Sequence, residues 1–342
     1  MSNTSLLVRN GIRNRHRRCA VSMLILALIA VVLAALCLYF GNTIYPPDVI
    51  IKVILGEEIK GASYAVNSVR LPRMLAGVFA GIAFGTGGYV FQTMLRNHLA
   101  SPDMIGISSG SGAAAVICIL VFKIGGTTAS VISVAGGLAA TMLIFLLASA
   151  GGFSNGRMIL IGIGIQAVLR AVISYVIQKA STYDVPAAMR WLTGSLNGSQ
   201  MKNIPVMGSV IITAFIVIAL SEKHLKMLEL GDSCAIALGV RINLIRGMMS
   251  VCGVLMIAFA IAVTGPIASV AFLSGPISSK ITGKNNSNAG AAALFGVVLI
   301  LASDLAGQFA LGTRFPVGIV TGLLGAPYLL YLLITMNRSN SV

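Results

Sequence analysis

The chain has 342 residues, 57% of them hydrophobic and only 10% charged, with a mean hydropathy of +0.94. No water-soluble fold of this length can hide that much apolar surface, so composition excludes a soluble enzyme and defines a polytopic membrane protein. The formal net charge of +15 would suggest nucleic acid as the partner of a soluble chain, but the Lys and Arg lie mainly in short connections between apolar runs, where the positive-inside rule puts them. The implied partner is the lipid membrane, and no nucleic acid.

Arg9, Arg13, Arg15, Arg17 and Arg18 precede the first apolar run and place a basic segment, residues 1–19, in the cytoplasm. Candidate spans follow at 20–40, 72–95, 106–122, 129–149, 158–178, 204–220, 243–263, 266–281, 289–306 and 317–336, so that 20–336 forms one transmembrane unit. The runs are continuous and do not alternate, which excludes a strand barrel and predicts an all-α fold with about ten transmembrane helices. Ten crossings return the tail, 337–342, to the cytoplasm of a multi-pass protein of the cytoplasmic membrane. The first run is longer than a signal-peptide core and no clear small-x-small cleavage site follows, so it is expected to stay as the first helix.

The stretch from Arg70 to Gly112 opens with Arg70 and Arg73, crosses the membrane from Met74 to Leu95 without a charge, and closes in a second polar cluster. Gly77, Gly81 and Gly85 fall four apart and lay a smooth stripe on one helix face, the pattern that lets a neighbouring helix pack closely in lipid. Function must be sought at the flanks. Most basic residues obey the inner bias, yet Arg70, Arg73, Arg190 and Arg314 sit beside helix ends on the outer side. That placement suggests an acidic partner there, with lipid phosphate as the alternative.

Several chemistries are missing from the sequence. Cys19, Cys37, Cys118, Cys234 and Cys252 have no paired spacing, so neither a disulfide framework nor a zinc site is implied. His16, His98 and His224 fall in loops, with no H-E-x-x-H on a helix, and no phosphate-binding G-x-x-x-x-G-K-[ST] occurs. No cofactor or metal is expected, and the chain should not bind ATP itself. Of nine acidic residues only Asp304 lies well inside a span, which weakens the reading as an ion-coupled secondary transporter.

The longest cytoplasmic connection runs from Ser221 to Arg246. Leu225, Leu228, Leu230, Ile236, Leu238 and Val240 fall at helical spacing and predict two short amphipathic helices, broken at Gly231, with Asp232 as N-cap of the second and Gly239 as its stop. Such a pair suits a groove on another protein or, equally, the membrane surface.

At this point the residues meet a family. R-L-P-R at 70–73, Q-x-x-x-R-N-x-L-A-x-P from Gln92 to Pro102, W-L-x-G-S-L-N-G at 191–198, L-G-D-x-x-A-x-x-L-G-V at 230–240 and P-V-G-I-V-T-G-L-L-G-A-P at 316–327 resemble, in this order, the FecCD permeases of iron-siderophore and cobalamin ABC importers. The resemblance implies a type II importer permease of ten helices, not itself an enzyme. Its partners would be a second permease subunit, as a homo- or heterodimer, two ABC ATPase subunits and an extracytoplasmic siderophore-binding protein. A ferric siderophore would be the cargo, with cobalamin or heme as the alternative. It further implies that Leu230, Gly231, Asp232, Ala235, Leu238, Gly239 and Val240 dock on the ATPases, and that Arg70 and Arg73 meet acidic residues of the binding protein. A third family arginine falls on Gln308, for which Arg314 is the substitute. Asn97 and Leu99 match the cytoplasmic gate, with Asn155 and Gly156 as companions, although Asn155 is equally an N-cap.

The chain departs from the family at His98, at Gln308 and at Ser279, where an arginine is the rule and only Lys280 keeps a positive charge nearby. Arg170 is the least expected residue, a charge about midway along the fifth span. Such a charge costs at least ~2.5–3.5 kcal/mol if unpaired. It either lines the pathway for an anionic chelate, with Gln166 one turn earlier, or pairs with Asp304.

Overall fold

In the computed structural model the basic segment and the first apolar run form one continuous helix, α1 (Asn3–Tyr39). The structure describes residues 3–97, 99–149, 155–283, 288–310 and 312–339. Short α2 (Pro47–Ile54) leads to α3 (Leu71–Leu95), α4 (Ile107–Leu120), α5 (Gly126–Ser149), α6 (Asn155–Lys179) and the short α7 (Val185–Leu192). The chain then continues through α8 (Ile204–Glu229), α9 (Asp232–Ala237), α10 (Ile242–Thr264), α11 (Val270–Thr282), α12 (Ala289–Leu305) and α13 (Val317–Ser339). No strand is present among the described residues. Each expected apolar run coincides with a helix, and seven helices are long and apolar enough to cross a membrane. Helices α2, α3, α7 and α8 each carry a proline in the first turn, where a missing backbone N–H leaves no bond unmade.

Two boundaries differ from expectation. Helix α8 runs on through Glu229, absorbing the stretch from Ser221 that was expected to be a separate amphipathic helix. Its buried positions, Ile211, Ala214, Ile218, Glu222, Leu225 and Leu228, keep the three-to-four spacing without a break, so one helix face stays covered past the expected end of the span. Helix α11 starts at Val270, four residues later than its apolar run, after Ser269 in a left-handed conformation.

Helix α3 is central and packs against α12, α10, α11, α8 and α1. The glycine stripe faces α12. A Cβ on Gly81 would run into the backbone of Val297, and one on Gly85 into the carbonyl of Ala292, while Gly296 of α12 answers against Gly81. The two backbones therefore touch, with no room for side chains between them. Arg18 of α1 donates from Nε to the Ile281 carbonyl at 3.1 Å and from Nη2 to the Lys280 carbonyl at 3.0 Å. A cation at the open C-terminal end of α11 thus ties α1 to it. By contrast α6 leaves most of its surface uncovered, with Leu160, Ile163, Val168 and Tyr175 exposed.

The seam predicts a contrast between glycines. Gly85→Leu should force α3 from α12 and lower the thermal transition and yield of detergent-solubilised protein, the overpacking cost being about 1–3 kcal/mol or more. Gly247→Ala, in α10 with nothing within 4 Å of the added carbon, should leave both unchanged.

Candidate functional site

Polar side chains gather at the two ends of the bundle. At one end α3 terminates in Arg96, a non-glycine residue at φ 51. This turn sends its guanidinium sideways, where Nε donates to the Leu228 carbonyl at 2.8 Å and Nη2 to the Asp232 carboxylate. Arg246 of α10 reaches the same carboxylate at 3.2 and 3.3 Å. Asp232 was expected to cap α9 through its side chain; no such cap bond forms, because both its oxygens are turned to the two arginines. Partly exposed ion pairs of this kind add little stability, but two arginines on one carboxylate fix where α9 sits.

The 230–240 segment divides by exposure. Ala235 and Val240 are buried with Leu225 and Leu228, whereas Leu230, Ile236, Leu238 and Leu244 are each more than half exposed. Gly231 at φ +111 and Gly239 at φ +80 mark the break and the stop, at positive φ where a side chain is strained. Asn97 Oδ1 accepts the Leu99 N–H at 2.9 Å, a local turn at the end of α3. Gly156 is exposed at the start of α6; His98 and the Asn155 side chain lie outside the described residues.

Glu222 was read as a loop residue and is instead buried beneath this end. It accepts hydrogen bonds from Tyr89 Oη at 3.1 Å, from the Asn288 N–H at 2.6 Å and from the Ala289 N–H at 3.1 Å. A carboxylate from α8 therefore meets the open N–H groups of α12 and the hydroxyl of α3. Its i−4 and i+3 partners, Ile218 and Leu225, were the signal. Ser279 accepts from Asn288 Nδ2 at 3.1 Å, and the Lys280 ammonium lies 4.8 Å from the centroid of the Tyr331 ring.

At the opposite end Arg73 and Asp304 form a two-pronged pair, Nε to Oδ2 at 2.9 Å and Nη2 to Oδ1 at 2.8 Å, and Gln308 Nε2 adds a third bond to Oδ2 at 2.8 Å. Asp304 is only 2% exposed. The pairing of Arg170 with Asp304 is thereby overturned, since the carboxylate already holds three donors and Arg170 is exposed on α6, with Gln166 half-buried one turn away. Arg70 is buried. It donates from Nη1 to the carbonyls of Leu38 at 2.8 Å and Tyr39 at 3.1 Å, and from Nη2 to that of Thr43, with its guanidinium over Tyr45. Its charge closes the C-terminal end of α1.

Beside Arg73 opens a cavity of about 740 Å3, lined also by Arg190, Trp191, Gln308 and Arg314. Sequence reasoning had noted Arg190 as an outer arginine without giving it a role. Only the fold brings α7 next to the loop that carries Arg314.

Long apolar helices, ion pairs at both ends and a cavity beside one of those ends define the fold of a multi-pass membrane protein. A solved structure described as an inward-facing conformation of a metal-chelate type ABC transporter shares that fold, with a TM-score of 0.81 over 92% of this chain and 98% of that one, at 24% identity. The chain belongs to the FecCD transport family, whose model matches residues 26–335. It is 33% identical to a ferric enterobactin transport system permease protein of Escherichia coli (strain K12), over 94% of this chain and 98% of that protein. It is 32% identical to an Fe(3+)-citrate import system permease protein of Bacillus subtilis (strain 168), over 93% and 96%.

Breaking the outer pair should expose its cost. Asp304→Ala leaves Arg73 partly buried without its anion and should cost on the order of 3 kcal/mol, seen as a lower melting temperature in detergent. Arg73→Leu combined with Asp304→Ala should recover most of the loss. A double variant no more stable than Asp304→Ala alone would show that the pair does not act as a unit.

Proposed function

We propose that the chain is the membrane-spanning permease subunit of an ATP-driven ABC importer that moves a ferric siderophore across the cytoplasmic membrane. It crosses ten times, with both termini in the cytoplasm, and works with a second permease subunit, two ATPase subunits and an extracytoplasmic siderophore-binding protein. The observation that carries this reading is the corner formed by α8, α9 and α10. Leu230, Ile236, Leu238 and Leu244 are exposed there on a segment pinned from behind by Ala235, Val240 and the Asp232 ion pairs. A rigid apolar knob at the polar end of a membrane protein suits a groove on a cytoplasmic partner. ATP hydrolysis belongs to that partner. The family membership and the named relatives, which are ferric enterobactin and ferric citrate permeases, support the cargo class.

On this reading Asn97, Leu99, Asn155 and Gly156 form the inner gate. The binding protein seats over the outer cavity against Arg73 and Arg314, while Arg70 shapes that face by holding the end of α1. The exposed face of α6 meets the second permease subunit, and Gln166 and Arg170 line the pathway between the two.

In vesicles holding the complete complex, uptake of a radiolabelled ferric siderophore should require ATP on the cytoplasmic side and no ion gradient. Uptake driven by a gradient without ATP would sink the importer reading in favour of a secondary carrier. Replacing Ile236 and Leu238 by Glu should cut uptake about tenfold or more at unchanged protein abundance, as expected when central apolar contacts of an interface are lost. Arg170→Gln should reduce uptake of an anionic ferric chelate several-fold; unchanged uptake would remove Arg170 from the pathway.

A further inference from the structure

The three arginines that line the outer cavity differ in what balances their charge. Arg73 is held by Asp304 in the two-pronged pair. Arg190 spends only Nε, on the Pro186 carbonyl of its own helix at 3.3 Å, and Arg314 meets the neutral side-chain oxygen of Asn42. Neither forms an ion pair among the described residues, and Asp184, just before α7, is already taken by Lys123. Among the described residues no acidic side chain lines the cavity; Asn197, Gln200 and Asn203 supply neutral hydrogen-bonding groups, and Trp191 a flat aromatic surface. The volume, about 740 Å3, falls in the range of small-molecule sites, roughly 300–1,000 Å3. Two unneutralised guanidinium groups in a concave wall concentrate positive potential and present paired N–H donors to planar oxyanions.

We propose that this cavity is a binding site for an anionic metal chelate. Arg190 and Arg314 meet the chelate's peripheral carboxylate or catecholate oxygens, and Trp191 packs against its apolar surface. The assignment rests on the importer reading and narrows its cargo to chelates of net negative charge, over neutral ones of similar size. Oxyanions of the same chemistry also occur on the acidic side chains of a delivering protein, and the experiment separates the two sources.

Trp191 is the one tryptophan in the chain, so a shift in its emission locates binding at this cavity. Full-length protein in lipid nanodiscs is dialysed to equilibrium against gallium(III) tris-catecholate, which is trianionic, or a neutral gallium(III) tris-hydroxamate. A short oligoglutamate peptide is tested in parallel. The catecholate complex is expected to bind, to shift Trp191 emission and to weaken as salt is raised. Replacing Arg190 and Arg314 by Gln should reduce its affinity about tenfold or more, the usual loss for charge-assisted hydrogen bonds, without changing the weaker retention of the hydroxamate. Lys60→Gln, on the exposed outer surface, should change nothing. Equal binding of both chelates, or indifference to salt in the unmodified protein, would overturn the proposal without relying on any substitution. An emission shift produced only by oligoglutamate, and lost with the two arginines, would also overturn it and leave the cavity as part of the binding-protein dock alone. Chelate binding without ATP-driven uptake would refute the importer reading and keep the site; ATP-driven uptake without chelate binding would do the reverse.

Discussion

Helix α3 meets α12 backbone to backbone because Gly81 and Gly85 face Val297, Ala292 and Gly296. Lipid offers no hydrophobic force to press two apolar helices together, so close contact along such a seam has to supply the attraction. The same seam carries polar groups at both ends. Arg73 begins α3 and pairs with Asp304 near the end of α12, while Tyr89, toward the other end of α3, shares Glu222 with the first N–H groups of α12. Sliding one helix along the other by a turn would break both connections at once. The small-residue contact holds the helices, and the two carboxylates fix their register.

Buried carboxylates are costly in a membrane unless they are paired or hydrogen-bonded. Asp304 accepts three bonds from Arg73 and Gln308, and Glu222 accepts bonds from two backbone N–H groups and a hydroxyl. Gln308, which stands where the family has an arginine, thus has a physical role in this chain. It adds a third bond to Asp304 without adding a second positive charge, and among the described residues Arg73 is the one cation paired with the aspartate.

Much of this architecture was legible in the sequence, because a spanning helix is set by its own length and apolarity. The ten apolar runs, the glycine stripe as a packing face, and the break and stop at Gly231 and Gly239 needed no knowledge of neighbours. Charges were the harder part. Arg70 and Arg73 look alike at the head of one helix, yet one is consumed by carbonyls at the end of α1 and the other by a carboxylate some 230 positions away in sequence. Glu222 sat between Ser221 and Lys223 and looked like the start of a loop; only the unbroken spacing from Ile218 to Leu225 marked it as a helix-face residue. The Arg170 to Asp304 pairing failed for a related reason. A sequence shows which charges need partners, and the fold decides which partner is nearest.

Helix α8 joins the two ends of this logic. It carries the exposed apolar corner through Leu230 and α9, and two turns earlier it places Glu222 against α12 and α3. Arg96 repeats the connection from the other side, binding both the last turn of α8 and Asp232 from the end of α3. A displacement of α9 would therefore bear on the end of α3 directly, through the Arg96–Asp232 salt bridge. Packed helices shift between discrete arrangements more readily than they deform. A load applied at α9 is therefore taken up first by Arg96, at the end of α3.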